Sequence, residues 1–418
     1  MAFAINGKFT SQPVTGVQRV AYELTRAMQM LAVPDGELDV FVPQNVVEPG
    51  ALLKRQRRFP WLRGTLWEQI TLPIAARGMT LLNLCNTNPI FKRGQIVMVH
   101  DMAVYDVPQA FSKKFLLWYR LGFSILPHME PMILTVSTFS KRRICHHLKI
   151  DGSRVAVVTP GADHLDRVVS NPGITKRLGL TKDAYCVIVG SLDPRKNLQR
   201  VLEAIDQLGH LKGVRFVVVG GKNSRVFNSE PNERAAHANQ VIWAGFVTDG
   251  ELKALYENAG CLVFPSLYEG FGLPPLEAMY CGCPVIASKR TSIPEACGAA
   301  ALYCDASSAE NIAETVSLMM TDERLRQHYR TKGLVHAREY RWERSAQRLF
   351  EILYGHASEQ LVELSPSASA GYSGCSRAAD VAPPWNGESM NVKFRGPGQV
   401  NDSEKKIGSQ LAYGIANT

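Results

Sequence analysis

Two glutamates eight positions apart, Glu269 and Glu277, lie in the stretch PSLYEGFGLPPLEAMYCGCPVIAS, residues 265 to 288. Between them stand Gly270, Phe271, Gly272, Leu273 and the pair Pro274-Pro275. Each piece has a chemical use. Glycines let backbone N–H groups approach a ligand closely. The prolines fit the start of a helix, whose early N–H groups have no intrahelical partner. Such a helix start favours an anion. Glu277, read as lying in the first turn of that helix, suits a diol such as a ribose. Glu269, at the end of the preceding apolar run, is placed to hold hydroxyls or to carry charge beside a reacting centre. Upstream, SLDPRKN supplies Arg195 and Lys196, two cations suited to a diphosphate. A charge-assisted bond of that kind contributes roughly 1.5–3 kcal/mol. Together these residues describe a site for a nucleotide diphosphate attached to a polyol.

Such a site needs elements that bring distant residues to one place. From about residue 183 short apolar runs alternate with helical patterns. YCVIVGS, VRFVVVGG, GCLVFPS, CPVIAS and AALYCD read as strands. NLQRVLEAIDQL puts Leu198, Val201, Leu202, Ile205 and Leu208 on one helical face. In the first half GVQRVAYELTRAMQML is helical, with Val20, Leu24, Met28 and Leu31 inward, and LDVFVP, TLLNLC, QIVMVH and MILTVS are strand candidates. Strand–helix alternation implies parallel sheets covered on both faces. The fold expected is therefore α/β, two Rossmann-like domains in tandem, with a boundary near TPGADH. Ligands bind at the carboxyl ends of strands in such sheets. The residues after the apolar runs are His100-Asp101, Arg195-Lys196, Gly220-Gly221-Lys222 and the opening stretch. Two facing domains would gather them in one cleft.

Length and composition exclude several classes. A chain of 418 residues exceeds one typical core. No run approaches the roughly 18 to 20 apolar residues of a membrane span, and no signal peptide is visible at the N-terminus. The nine cysteines are scattered, with no zinc-like spacing, which points to a reduced, cytoplasmic protein. No D-x-D occurs, so a metal-held diphosphate is not expected. The net charge of +9 falls almost wholly before residue 165. Within it, KRQRRFPWLRGTLW, residues 54 to 67, interleaves Arg55, Arg57, Arg58 and Arg63 with Phe59, Trp61 and Trp67. This mixture suits an anionic membrane surface. It would also suit nucleic acid, but no nucleic-acid motif accompanies it, and a solvated loop is the plain alternative.

The C-terminal half resembles the family 4 retaining glycosyltransferases, which have the GT-B fold. The resemblance rests on EGFGLPPLEAMYCGCPVIAS, with the family's E-x7-E around G-F-G-L-P. VGSLDPRKN before it and AGFVTDGELKALYENAGCLVFPS between agree in order and spacing. TGVQRVAYEL, VHDMAVYDVPQAF and TVSTFSKRRI are similar to the branch that adds mannose or related sugars to bacterial polysaccharides. The likeness covers about residues 1 to 355. It implies that Glu269 lies near the transferred sugar and Glu277 on the ribose hydroxyls. The backbone at Phe271, Gly272 and Leu273 would meet sugar and diphosphate, and Lys196 would be the diphosphate lysine. Many members carry an arginine directly after the glycine of VG; here that position is Ser191, and Arg195 is the candidate for the missing charge. Gly16 would belong to a loop closing on the diphosphate, and His100 would contact the donor sugar as a catalytic-site histidine.

The implied arrangement is an acceptor-side domain over residues 1–165, a nucleotide-sugar domain over 166–340, a helix over 341–357 returning to the first domain, and a disordered tail from 358 to 418. The implied reaction is metal-independent hexose transfer, with GDP-mannose the leading donor and UDP-hexoses and dTDP-rhamnose behind it. No cofactor is expected. The expected partners are a nucleotide-diphosphate sugar, a lipid-linked oligosaccharide acceptor and an anionic membrane, met through Arg55, Arg57, Arg58 and Trp61 on the cytoplasmic face. A nucleotide-sugar epimerase and a phosphorylase share the GT-B fold and stay open as alternatives. An oxidoreductase would need G-x-G-x-x-G after an early strand, and VVGGKNSR fails that spacing.

Overall fold

Thirteen strands build two all-parallel sheets among the residues that the computed structural model describes, namely 3–31, 38–46, 53–129, 132–190, 193–221 and 240–363. The first sheet contains β1 (Phe3–Asn6), β2 (Leu38–Val42), β3 (Gln56–Arg58), β4 (Thr80–Asn83), β5 (Gln95–Met98), β6 (Met132–Thr135) and β7 (Val155–Val157), in the order β3-β2-β1-β4-β5-β6-β7. The second contains β8 (Tyr185–Val189), β9 (Arg215–Val219), β10 (Val241–Gly245), β11 (Cys261–Phe264), β12 (Val285–Ser288) and β13 (Leu302–Cys304), in the order β10-β9-β8-β11-β12-β13. Every pairing is parallel. The central strands β1, β5, β11 and β12 are buried along their whole length, as strands covered on both faces must be.

The helices that cover these sheets form for the reasons the sequence suggests. In the helix Gly16–Met30, Val20, Leu24 and Met28 are buried, while Leu31 lies just past the end. Its start is braced by Gln18, whose Oε1 accepts the Thr15 N–H at 3.3 Å. In the helix Leu198–Asp206, Leu198, Val201, Leu202 and Ile205 are buried, and Leu208 beyond it is buried too. The last helix, Trp342–Glu363, packs on the helix Gly16–Met30. It overruns the expected start of the tail at 358; the remainder of that tail lies outside the described residues.

Four strands differ from the sequence reading, which singled out none of them. β3, β7 and β10 are outer strands of their sheets. An edge strand buries less and needs no apolar run, and Gln56–Arg58 has none, whereas the edge strands Val155–Val157 and Val241–Gly245 are apolar and were simply not singled out. β1 is central, but only four residues long and close to the chain start, too short to show a pattern.

Candidate active site

The order of the second sheet reverses between β8 and β11, and a crevice opens outside the carboxyl ends of strands at such a reversal. Lys196 follows β8 and Glu269 follows β11. Lys196 Nζ lies 2.7 Å from Glu269 Oε1, and both side chains are largely shielded. The lysine stem passes over Gly190, where a Cβ would fall 2.9 Å from Lys196 Cγ. Its ammonium stands 5.1 Å from the centre of the Phe264 ring. The sheet thus joins a cation suited to a diphosphate and a carboxylate suited to a sugar. An anion arriving at Lys196 competes with Glu269 for the ammonium. Ser191, where the family arginine would stand, lies outside the described residues.

The chain after Glu269 is held by the loop beyond β12. The Glu269 N–H donates to Thr291 Oγ1 at 3.1 Å. The buried Ser292 hydroxyl lies 2.8 Å from the Glu269 carbonyl and 2.9 Å from that of Phe271, sharing its one proton. Phe271 and Leu273 are buried. Gly272 has φ 123°, a region that side chains disfavour. Gly270 is bare for a different reason from the expected one. A Cβ there would meet the His100 carbonyl oxygen at 2.5 Å, so the space is filled by the other sheet's loop.

The helix Leu273–Tyr280 begins with prolines at its second and third positions, so its first turn offers the N–H of Leu273 and little else. Glu277 is the fifth residue of this helix, in its second turn rather than the expected first. It is 9% exposed. Its Oε1 lies 3.2 Å from His164 Nε2. Arg19, from the first turn of the helix Gly16–Met30, also feels its charge. Burial works against the Arg19 cation, but Asp249, Glu277 and Glu23 outweigh it and raise its pKa. The Arg19 Nη2 stands 2.6 Å from both oxygens of Asp249, tying the first half of the chain to the second. Gly16, at the start of the same helix, faces open space: a Cβ there would meet nothing within 4 Å.

Loops from the first sheet meet these residues directly. His100 follows β5 and is buried. Its Nε2 lies 2.9 Å from the Leu84 carbonyl, so that nitrogen donates and Nδ1 remains to accept. Burial lowers its pKa, opposed only in part by the Leu84 carbonyl and Asp101. The ring is therefore neutral at neutral pH. Ser137 donates to the Gly270 carbonyl at 2.6 Å. Ser140 stands 2.9 Å from both the Gly270 and the His100 carbonyls. Glu295 of the second half accepts the N–H groups of Thr138 and Phe139 at 2.7 and 3.2 Å, where the helix Thr138–Leu148 begins. Arg195 also bridges the halves. It donates from Nη2 to Asp193 at 2.7 Å, lies 3.9 Å from Asp101 Oδ2, and stacks 4.9 Å from the Phe111 ring. Burial disfavours its charge, but Asp101 and Asp193 hold its pKa above the ordinary guanidinium value. Much of the charge expected for a diphosphate is thus already balanced at Arg195.

The basic stretch divides in two. Arg57 Nη2 pairs with the buried Asp39 at 2.7 Å, and Arg55 Nε lies 3.6 Å from the same carboxylate. Phe59 packs against Phe41, and the buried Trp67 donates its indole N–H to the Phe59 carbonyl. Arg58 and Trp61 are exposed, Trp61 at 65%. Beyond Trp61, Leu66, Ile70 and Ile74 are exposed at four-residue spacing along the helical segment 64–75.

Thr291, Ser292, Glu295, Arg19 and His164 were not among the candidates read from sequence, whereas Asp101 was read there beside His100 as a strand-end residue. Thr291 and Ser292 follow β12, so the strand-end rule that found His100 reaches them as well. Arg19 and His164 have no such signal. Among the described residues no group of three or more His, Cys, Asp or Glu is arranged to hold a metal ion.

Residues 173–335 match the family model described as glycosyl transferases group 1. The O-antigen chain mannosyltransferase B of Escherichia coli is 29% identical over 257 residues, 59% of this chain and 67% of that protein. The serotype-specific mannosyltransferase WbdA of Escherichia coli is 27% identical over 229 residues, 54% of this chain but only 27% of WbdA. The crystal structure of Anabaena HepE with UDP and glucose superposes with a TM-score of 0.65 at 14% identity, covering 85% of this chain and 99% of that one. The fold is GT-B: two parallel sheets, each flanked by helices, on either side of a cleft.

Proposed function

From the premise that this chain is a GT-B glycosyltransferase related to the glycosyl transferases group 1, we propose that it transfers mannose from GDP-mannose, with retention, to a lipid-linked oligosaccharide during bacterial polysaccharide assembly. The observation that carries the reading is the Lys196–Glu269 pair at the reversal of the second sheet. The mannose assignment leans on relatives that are mannosyltransferases.

In this reading residues 166–340 hold the donor and residues 1–165 the acceptor. Lys196 takes charge from the departing diphosphate, helped by backbone N–H groups at Gly272 and Leu273. Glu277 accepts from the ribose hydroxyls. His100 accepts a sugar hydroxyl at Nδ1, because its Nε2 is committed to Leu84. Glu269 lies beside the transferred sugar, and Gly16 leaves room for the diphosphate at the helix start. Arg195 acts mainly across the cleft, through Asp101 and Phe111. The acceptor hydroxyl attacks the anomeric carbon on the side from which the phosphate leaves. One glycosidic C–O bond forms, the sugar–phosphate bond breaks, and the leaving phosphate oxygen takes the hydroxyl proton. The chain would work on the cytoplasmic face of an anionic membrane, contacted by Arg58, Trp61 and the exposed Leu66, Ile70 and Ile74.

Calorimetric titration with GDP, UDP, dTDP and ADP in EDTA tests the donor. GDP is expected to bind at least tenfold more tightly than the others, and GDP-mannose to turn over with a lipid-linked acceptor. Preferred binding of UDP would overturn the GDP-mannose assignment. Failure of all four to bind would turn attention to acceptor-free epimerisation.

A further inference from the structure

His164 stands outside the loops that meet the crevice, yet it touches Glu277. It belongs to the connection between the two sheets and is 2% exposed. The Trp342 indole N–H, which can only donate, reaches His164 Nδ1 at 3.3 Å. Nδ1 is therefore the acceptor, and the ring proton sits on Nε2, 3.2 Å from Glu277 Oε1. Trp342 is itself fixed. Its backbone N–H donates to Asp163 Oδ1 at 2.8 Å. At Gly161 a Cβ would fall 2.4 Å from the Trp342 nitrogen, so the connection is moulded onto the start of the last helix.

We propose that His164 is a positioning residue for donor binding: Trp342 sets its tautomer, and its Nε2–H holds one oxygen of Glu277 so that the other is left for ligand hydroxyls. The inference rests on the reading of Glu277 as the nucleotide-ribose ligand. A buried carboxylate with one oxygen held loses less freedom on binding than a mobile one. The orientation of the donor carboxylate is thereby tied to the helix Trp342–Glu363, which itself lies on the first half of the chain.

The test is calorimetric titration of GDP and UDP into the whole protein and its variants, with urea unfolding run alongside. For the nucleotide that binds, His164→Phe is expected to weaken affinity roughly tenfold, the scale of one lost charge-assisted bond. His164→Gln, which keeps a donor near the Nε2 position, is expected to restore it to within about threefold of wild type on the same scale. In a Glu277→Gln background, His164→Phe should cost nothing further. If Glu277→Gln alone leaves affinity unchanged, the ribose reading of Glu277 falls, and the role of His164 with it. If Glu277→Gln weakens binding but His164→Phe does not, only the positioning role falls. Should His164→Phe not fold, nitrogen-15 spectra of the wild-type histidines decide: a proton on Nδ1 of His164 overturns the proposal, and one on Nε2 supports it.

Discussion

At the scale of single residues, the two glutamates of the opening stretch sit in different surroundings. Glu269 is paired with Lys196, and Glu277 is held by His164 under the field of Arg19. The two should fail differently. Glu277→Gln is expected to weaken nucleotide binding about 10- to 100-fold, the equivalent of roughly 1.5–3 kcal/mol for a charge-assisted bond. Glu269→Gln is expected to lower kcat by more than it raises the donor KM, because it changes charge beside the reacting centre. Steady-state kinetics with varied donor separates the two, and matching effects in both variants would contradict this division. The spacing of these glutamates was legible in the sequence, because a local motif carries its own chain geometry. Their partners were not: His164 lies in the connection, more than a hundred positions before Glu277, and nothing local marks it.

At the scale of elements, the loop after β11 shows how tightly the two sheets' strand ends interlock. Gly270 has His100 against its α-carbon, and its carbonyl accepts from Ser137 and Ser140. Gly16 begins a helix with open space around it. Gly270→Ala should therefore cost about 1–3 kcal/mol of stability, the usual penalty for overpacking, and weaken donor binding. Gly16→Ala should leave stability within about 0.5 kcal/mol, as surface changes do. Urea midpoints of the two variants give the comparison, and an unchanged midpoint for Gly270→Ala would mean that the His100 loop yields easily. A sequence reader sees two glycines in G-F-G and assigns both to a ligand. Only the fold separates them: Gly272 serves a backbone angle, and Gly270 serves an approach between loops.

At the scale of the whole molecule, the excess positive charge lies in the first half, where Arg58, Trp61, Leu66, Ile70 and Ile74 are exposed. Arg55 and Arg57 spend part of their charge on Asp39. Arg55 and Arg57 are exposed as well, so the membrane reading rests first on Arg58 and Trp61 and only second on them. Combined Arg58→Ser and Trp61→Ser changes are expected to reduce binding to phosphatidylglycerol vesicles about tenfold, given ~1 kcal/mol for each basic residue near an anionic surface. Raised salt should weaken wild-type binding in the same direction. Sedimentation with vesicles measures both, and full binding by the double variant would remove the membrane contact from this face.

The α/β alternation, the crevice-lining loops after β5, β8 and β11, and the E-x7-E motif are all determined by the sequence alone. Apolar periodicity and motif spacing are local properties, written within a few turns of chain. The tertiary structure decided what distant segments do to one another. It paired Lys196 with Glu269 across the sheet reversal, set Arg195 beside Asp101, put His100 against Gly270, and set Trp342 and His164 behind Glu277. Contacts of that kind arise only when packed layers fix which loops share one crevice, and no local pattern encodes a partner many tens of residues away.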